Sequence, residues 1–201
     1  MLSRRFKQAI KSVFPLRLFL DAFHRELGMI LMLHRVAPSE ESKLSPNENM
    51  KITPQFLEEL IIKLQKTYTF ITLDELYHAI ENKKFFRKKF AVFTFDDGYV
   101  DNYTNAFPIF KKYDIPFVIY LTAGLPDRRV ALWWYIIEEI ILSNESVELT
   151  DGSYYSCQNR AEKTETFMLL RNKIMKLSAI HFENELKKLL ANYSIDYTQK
   201  T

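Results

Sequence analysis

The segment Phe90–Tyr99, FAVFTFDDGY, constrains the fold of this 201-residue chain more than any other. Its apolar and β-branched residues run on without a helical period. Such a run reads as a strand buried on both faces, the habit of parallel sheets covered by helices. Asp96 and Asp97 follow where such a strand leaves the sheet, and in α/β folds that carboxyl-terminal rim is where ligands and catalytic groups collect. Two adjacent carboxylates repel each other unless a cation or a proton is shared between them. Something positive is therefore expected at this spot. Successive residues leaving a strand point in different directions, so one carboxylate can bind a divalent cation while the other takes a proton from bound water. The structural alternative is that either residue caps the next helix or satisfies turn amides.

The elements around this strand alternate. Met29–Leu33 reads as a short strand ending at His34 and Arg35, and a polar loop runs from Ala37 to Met50. Thr53 with Pro54 starts a helix over 54–66, whose stripe is Phe56, Leu57, Leu60, Ile61 and Leu64. Phe70–Leu73 reads as a strand, Asp74 as the cap of a helix to about Asn82, and Lys83–Lys89 as a basic loop. Asn102–Tyr113 reads as a helix that Pro108 kinks or restarts, and Pro116–Leu121 as a fourth buried strand. Alternating β and α with short connections argues for a parallel sheet with right-handed crossovers. Four strands are few for a closed barrel. Beyond Ala131 the pattern changes to an aromatic helix to Leu142, a hairpin over 146–156 turning at Asp151-Gly152, and two amphipathic helices, 161–177 and 179–192. This block reads as an insertion or helical cap.

Composition narrows the function classes. With 47% hydrophobic and 14% aromatic residues the chain is globular, and four glycines argue against repeats and phosphate-cradling loops. A single cysteine, Cys157, excludes an internal disulfide framework and fits a reducing compartment. A net charge of +3 is too mild for a nucleic-acid partner. Residues 1–28 nevertheless hold Arg4, Arg5, Lys7, Lys11, Arg17 and Arg25 against Asp21 and Glu26, and Leu2, Phe6, Ala9, Ile10 and Val13 recur at helical spacing. This basic amphipathic segment is expected either to dock under the domain or to lie on an anionic membrane surface. Arg17 interrupts its apolar stretch and no small-residue cleavage site follows, unlike a secretory signal. No run reaches the roughly 20 apolar residues that span a bilayer. The expected location is cytoplasmic, with peripheral contact at the inner membrane as an option.

Thr94-Phe95-Asp96-Asp97-Gly98-Tyr99 resembles the first motif of the polysaccharide deacetylase family, the nodulation-protein-B-like carbohydrate esterases. Met32-Leu33-His34-Arg35-Val36 resembles that family's opening strand, Ile52-Thr53-Pro54 with Phe56 its first helix, and Asn105–Leu121 the helix and strand after the motif. Trp133-Trp134 and the following helices are similar to the insertion of members near lipopolysaccharide and capsule genes. The resemblance implies an α/β fold: a partial (β/α) barrel of the polysaccharide deacetylase type, with a helical insertion at its carboxyl-terminal end. It divides the chain into 1–28, a β/α core over 29–128, and an insertion with a β-hairpin over 129–201. It implies metal-dependent hydrolysis of N-acetyl, or sometimes O-acetyl, groups on a cell-surface polysaccharide or lipid-linked glycan. The divalent metal is usually zinc. By match to the motif Asp96 is the general base and Asp97 the metal ligand, with His34 and Tyr99 lining the substrate pocket.

The chain departs from the family pattern in its histidines. It has His24, His34, His78 and His181, and no two are spaced as HxxxH. Zinc needs three protein ligands to leave one position for water, so metal binding by this chain is expected to be weak or absent. His181 and Glu185 have i,i+4 spacing but read as an ordinary surface-helix pair. An Arg-Pro strand and a Leu-x-His turn are also missing. In relatives with this insertion the HxxxH strand follows soon after it, so the sequence reads as the amino-terminal portion of a deacetylase. Three readings stay open: a carbohydrate deacetylase, a non-catalytic glycan- or protein-binding remnant of that family, and a degenerate fragment without stable function.

Overall fold

The computed structural model describes residues 28–84, 88–125 and 132–195. The expectation of a basic amphipathic helix before Gly28 lies outside the described residues.

Strand β5 (Phe90–Asp97) is the centre of a four-stranded parallel sheet. On one edge it pairs with β1 (Gly28–Leu33), from Gly28 opposite Phe90 to Leu33 opposite Phe95. On the other edge it pairs first with β4 (Thr69–Phe70) and then with β6 (Phe117–Leu121). A second, two-residue parallel pair joins β2 (Arg35–Val36) to β3 (Lys51–Ile52). The polar loop between them holds the short helix α1 (Ser45–Glu48).

Helix α2 (Pro54–Leu64) starts as its sequence signals: the Thr53 hydroxyl accepts a hydrogen bond from the Phe56 amide at 3.1 Å, with proline at the first position. Helix α3 (Leu73–Glu81) corrects the expectation that Asp74 caps it and that the preceding strand reaches Leu73. Thr72 is the cap, in a reciprocal capping box: the Glu75 amide donates to the Thr72 hydroxyl (3.0 Å) and the Thr72 amide to the Glu75 carboxylate (2.7 Å). After the motif, a π-helical turn (Asn102–Ala106) is followed by helix α4 (Phe107–Lys112), so Pro108 restarts the helix instead of kinking it.

Alternation along β5 sends Phe93 and Phe95 into a cluster with Leu57 and Ile61 of α2 and Phe110 of α4. Val92 faces the other way, onto Ile71 and Leu76. β5 is thus covered on both faces, as its unbroken apolar sequence requires. The edges differ. On β1, Leu31 and Leu33 face the α2–α4 cluster, while Ile30 and Met32 are 55% and 63% exposed. The expectation of a fully buried fourth strand fails in its second half, where Tyr120 and Leu121 are 51% and 57% exposed. β6 pairs with β5 along one side only, and no further described strand covers the other. Among the described residues the sheet is open, and no closed barrel forms.

The remainder builds its own apolar cluster. Helix α5 (Trp133–Ser143), the hairpin β7 (Ser146–Glu148) and β8 (Tyr154–Ser156), and helices α6 (Arg160–Ile174) and α7 (Phe182–Leu189) enclose Ile137, Ile141, Phe167, Leu170 and Ile174. Gly152, at φ +81°, turns the hairpin where the Asp-Gly pair predicts it. No helix among the described residues is long and apolar enough to cross a membrane.

Candidate functional site

The carboxyl end of β5 makes an abrupt turn. The Gly98 amide donates to the Asp96 carbonyl at 2.9 Å, closing a three-residue turn around Asp97, whose φ is +70°. An i to i+2 bond across a residue of positive φ is the rare, strained form of γ-turn. Gly98 continues at φ +76°, a conformation that glycine adopts without the steric cost of a Cβ. The turn separates the two carboxylates. Asp96 lies 3.8 Å from Nε2 of His34, an ion-pair distance too long for a direct hydrogen bond. Asp97 accepts a long hydrogen bond from Thr122, 3.4 Å, at the end of β6.

Backbone strain of this kind costs about 1–3 kcal/mol and persists where surrounding structure imposes it. Asparagine tolerates the left-handed region and β-branched residues do not. Asp97→Val is therefore expected to unfold at lower urea than Asp97→Asn, by about 1 kcal/mol or more. Equal midpoints would mean that the turn relaxes at no cost.

The loop carrying His34 is tied to the π-helical turn by side chains that the sequence reading did not single out. Asp101 accepts from the Val36 amide (3.0 Å) and from Nε of Arg35 (2.8 Å). Asn102 donates to the His34 carbonyl (2.9 Å) and Asn105 to the Val36 carbonyl (2.7 Å). Both hydrogen-bonding groups of Val36 and the carbonyl of His34 are thus fixed from one short segment. Their only sequence signal was the polar run Asp101-Asn102 directly after the motif, where an amphipathic helix would be expected to turn apolar.

Arg35 reaches further. Its Nη1 donates to the Tyr135 hydroxyl at 2.6 Å, and its guanidinium lies 4.8 Å from the Tyr99 ring centre. Burial opposes the Arg35 charge, but Tyr135 and Asp101 outweigh it and raise the pKa above the ordinary guanidinium value. The Tyr99 hydroxyl accepts from the Trp134 indole at 3.1 Å. Burial, with Tyr135 beside it, raises the Tyr99 pKa so that the phenol stays protonated. Tyr99 and Arg35 thus join the sheet rim to α5.

Between rim and α5 lies a cleft of about 700 Å³, lined among others by His34, Asp97, Tyr99, Trp133, Trp134 and Tyr135. The two indoles meet edge to face, with ring centres 5.5 Å apart. The structure therefore brings His34, Asp97 and Tyr99 to one cavity; Asp96 is not among its lining residues and approaches it through His34, at 3.8 Å. His181 and Glu185 form no part of it, and Glu185 accepts from the Ser178 amide at 3.0 Å. The sequence places Trp133 and Trp134 in an aromatic helix and in the insertion; that they line the cleft is a finding of the structure. Among the described residues no group of three or more His, Cys, Asp and Glu stands where it could hold a metal ion.

A parallel sheet with carboxylates on its carboxyl rim, facing an aromatic cleft, defines the class: an α/β protein with a cavity at that rim. Residues 83–169, less than half of the chain, match the family model of polysaccharide deacetylase. Among solved structures it is similar to IcaB from Ammonifex degensii, at 27% identity and a TM-score of 0.43, covering 49% of this chain and 41% of that one. It is similar also to the Streptococcus pyogenes deacetylase PplD in complex with acetate, at 31% identity and a TM-score of 0.41, covering 49% of this chain and 43% of that one. A de-N-acetylase from Aggregatibacter actinomycetemcomitans matches at 20% identity and a TM-score of 0.39, over 75% of this chain and 69% of that one. The chain thus spans less than half the length of the first two. No curated protein matches it.

Proposed function

We propose that the cleft receives an acetylated glycan of the cell-surface or lipid-linked kind, and that the chain hydrolyses an N-acetyl or O-acetyl group on it. One observation carries this reading: Asp97 and His34 share a cavity with Trp133, Trp134, Tyr99 and Tyr135. Aromatic faces bind the apolar faces of sugar rings, and a few polar groups fix orientation. In the step assigned here, Asp96 takes a proton from water as the water oxygen attacks the acetyl carbonyl carbon. The bond from that carbon to the sugar nitrogen or oxygen then breaks, acetate departs, and the proton passes to the sugar amine or hydroxyl. His34 stands 3.8 Å from Asp96. Asp97 is the residue that would contact a divalent cation, which when bound polarises a carbonyl and acidifies water. The described residues do not complete a three-ligand site for such an ion, so no step here depends on it.

That incomplete ligand set favours a second reading, glycan binding without turnover. Incubating the chain with an N-acetylated glucosamine oligosaccharide, with and without added zinc, separates the two. Acetate release that falls about a hundredfold or more in Asp96→Asn supports hydrolysis with that base. Binding without acetate supports the second reading. Absence of both removes the glycan reading.

A further inference from the structure

We infer that the cleft selects glycans bearing an anionic substituent, a carboxylate or a phosphate, and that Arg171 is the group that recognises it. This rests on the glycan reading above and goes beyond it in substrate class. Helix α6 turns Thr164, Phe167, Met168 and Arg171 toward the cavity, the i, i+3, i+4, i+7 spacing of one helical face. The other basic residues of that helix are committed to structure. Arg160 donates to the Lys43 carbonyl, Lys163 to the Leu142 carbonyl at 2.9 Å, and Lys173 to the Ser153 hydroxyl at 2.6 Å, while also pairing with Asp151. Arg171 makes no ion pair or side-chain hydrogen bond among the described residues. Its neighbours three and four positions away, Phe167, Met168, Ile174 and Met175, supply no carboxylate.

A guanidinium with no partner among the described residues, in the wall of a cavity that Phe167, Met168, Trp133 and Trp134 also line, is a site for an anion. The planar donor fork fits carboxylate or phosphate oxygens in pairs. Asp97 is the carboxylate lining the same cavity, and it repels an anion brought near it. The two charges therefore orient a ligand, with its anionic substituent at Arg171 and its acetylated part toward the rim.

The chain has two tryptophans, and both line this cleft. Intrinsic fluorescence therefore reports its occupancy directly. Two pairs of sugars serve as probes: tetra-N-acetylchitotetraose against a hyaluronan tetrasaccharide, and N-acetylglucosamine against its 6-phosphate. At low ionic strength the anionic member of at least one pair is expected to bind about tenfold more tightly, equivalent to about 1.4 kcal/mol. The responding pair tells carboxylate from phosphate. In Arg171→Gln the ratio is expected to fall to about one, and high salt should shrink it in the parent chain. Arg171 is exposed, so the variant is expected to fold, and its circular dichroism spectrum checks that. Equal affinities within both pairs, or a preference that survives in Arg171→Gln, overturn the inference while leaving the glycan reading standing. A chain that responds to none of the four sugars overturns both.

Discussion

Replacing Asp101 with alanine is expected to lower stability by about 3 kcal/mol, the low end for breaking a buried ion pair from one side. Asp101 is 4% exposed and holds three partners at once, the Val36 amide, the Arg35 guanidinium and the Asn102 side-chain amide. Without it, Arg35 keeps the Tyr135 hydroxyl and the Tyr99 ring but loses its counter-charge in a half-buried position. The Arg35 side chain retains 20% exposure, which is why the expected loss stays at the low end. The Val36 amide, on a fully buried residue, is left without an acceptor, and a buried unsatisfied donor costs about 1–3 kcal/mol. Urea unfolding measures the sum. Asp101→Asn keeps an acceptor for Val36 but not the charge, and should fall between alanine and the parent. A loss below about 1 kcal/mol for the alanine variant would mean that the loop behind His34 is held by its other bonds.

Phe93→Ala is expected to cost about 4 kcal/mol through lost burial and the cavity left behind. Phe93 is fully buried, with ring centres 5.0 Å from Phe110 and 5.5 Å from Phe70. It therefore links β5 to β4 and to the helix beyond the π-helical turn. The rings cannot close the gap without moving α4, whose position is set by Ile115 and Phe117 as well. Phe93→Leu keeps most of the volume and should cost under about 1.5 kcal/mol. Similar losses for the two variants would show that the cluster collapses around the smaller side chain.

What the sequence disclosed and what it hid follow from the range of the interactions involved. Strand β5 was legible because burial on both faces removes polar residues from every position, which leaves a local mark. The starts of α2 and of the hairpin turn were legible because a cap and a turn each depend on a few adjacent residues, Thr53-Pro54 and Asp151-Gly152. The cap of α3 was missed although Thr72 and Glu75 have capping-box spacing, because the apolar Phe70–Leu73 run reads equally well as a strand. The exposed half of β6 could not be read, since an edge strand can carry the same residues as a central one and differs only in its neighbours. The same holds at the site. Asp96, Asp97, His34 and Tyr99 stand out by their place beside a motif, whereas Arg35 and Asp101 are 66 positions apart and leave no local period. The facing of Trp133 and Trp134 onto the rim is likewise a tertiary fact, carried by Trp134 bonding to Tyr99.

The central position of β5 has a consequence for the order in which the chain can acquire structure. Its partner β1 begins at Gly28, opposite Phe90, so that pairing must close a far longer loop than the pairings of β5 with β4 and β6. Parallel pairings of that kind form slowly. The cluster of α5, α6, α7 and the hairpin draws its buried residues, apart from Leu44, from 136–190 alone. The rim carboxylates reach their places only when β1, β4 and β6 have assembled around β5.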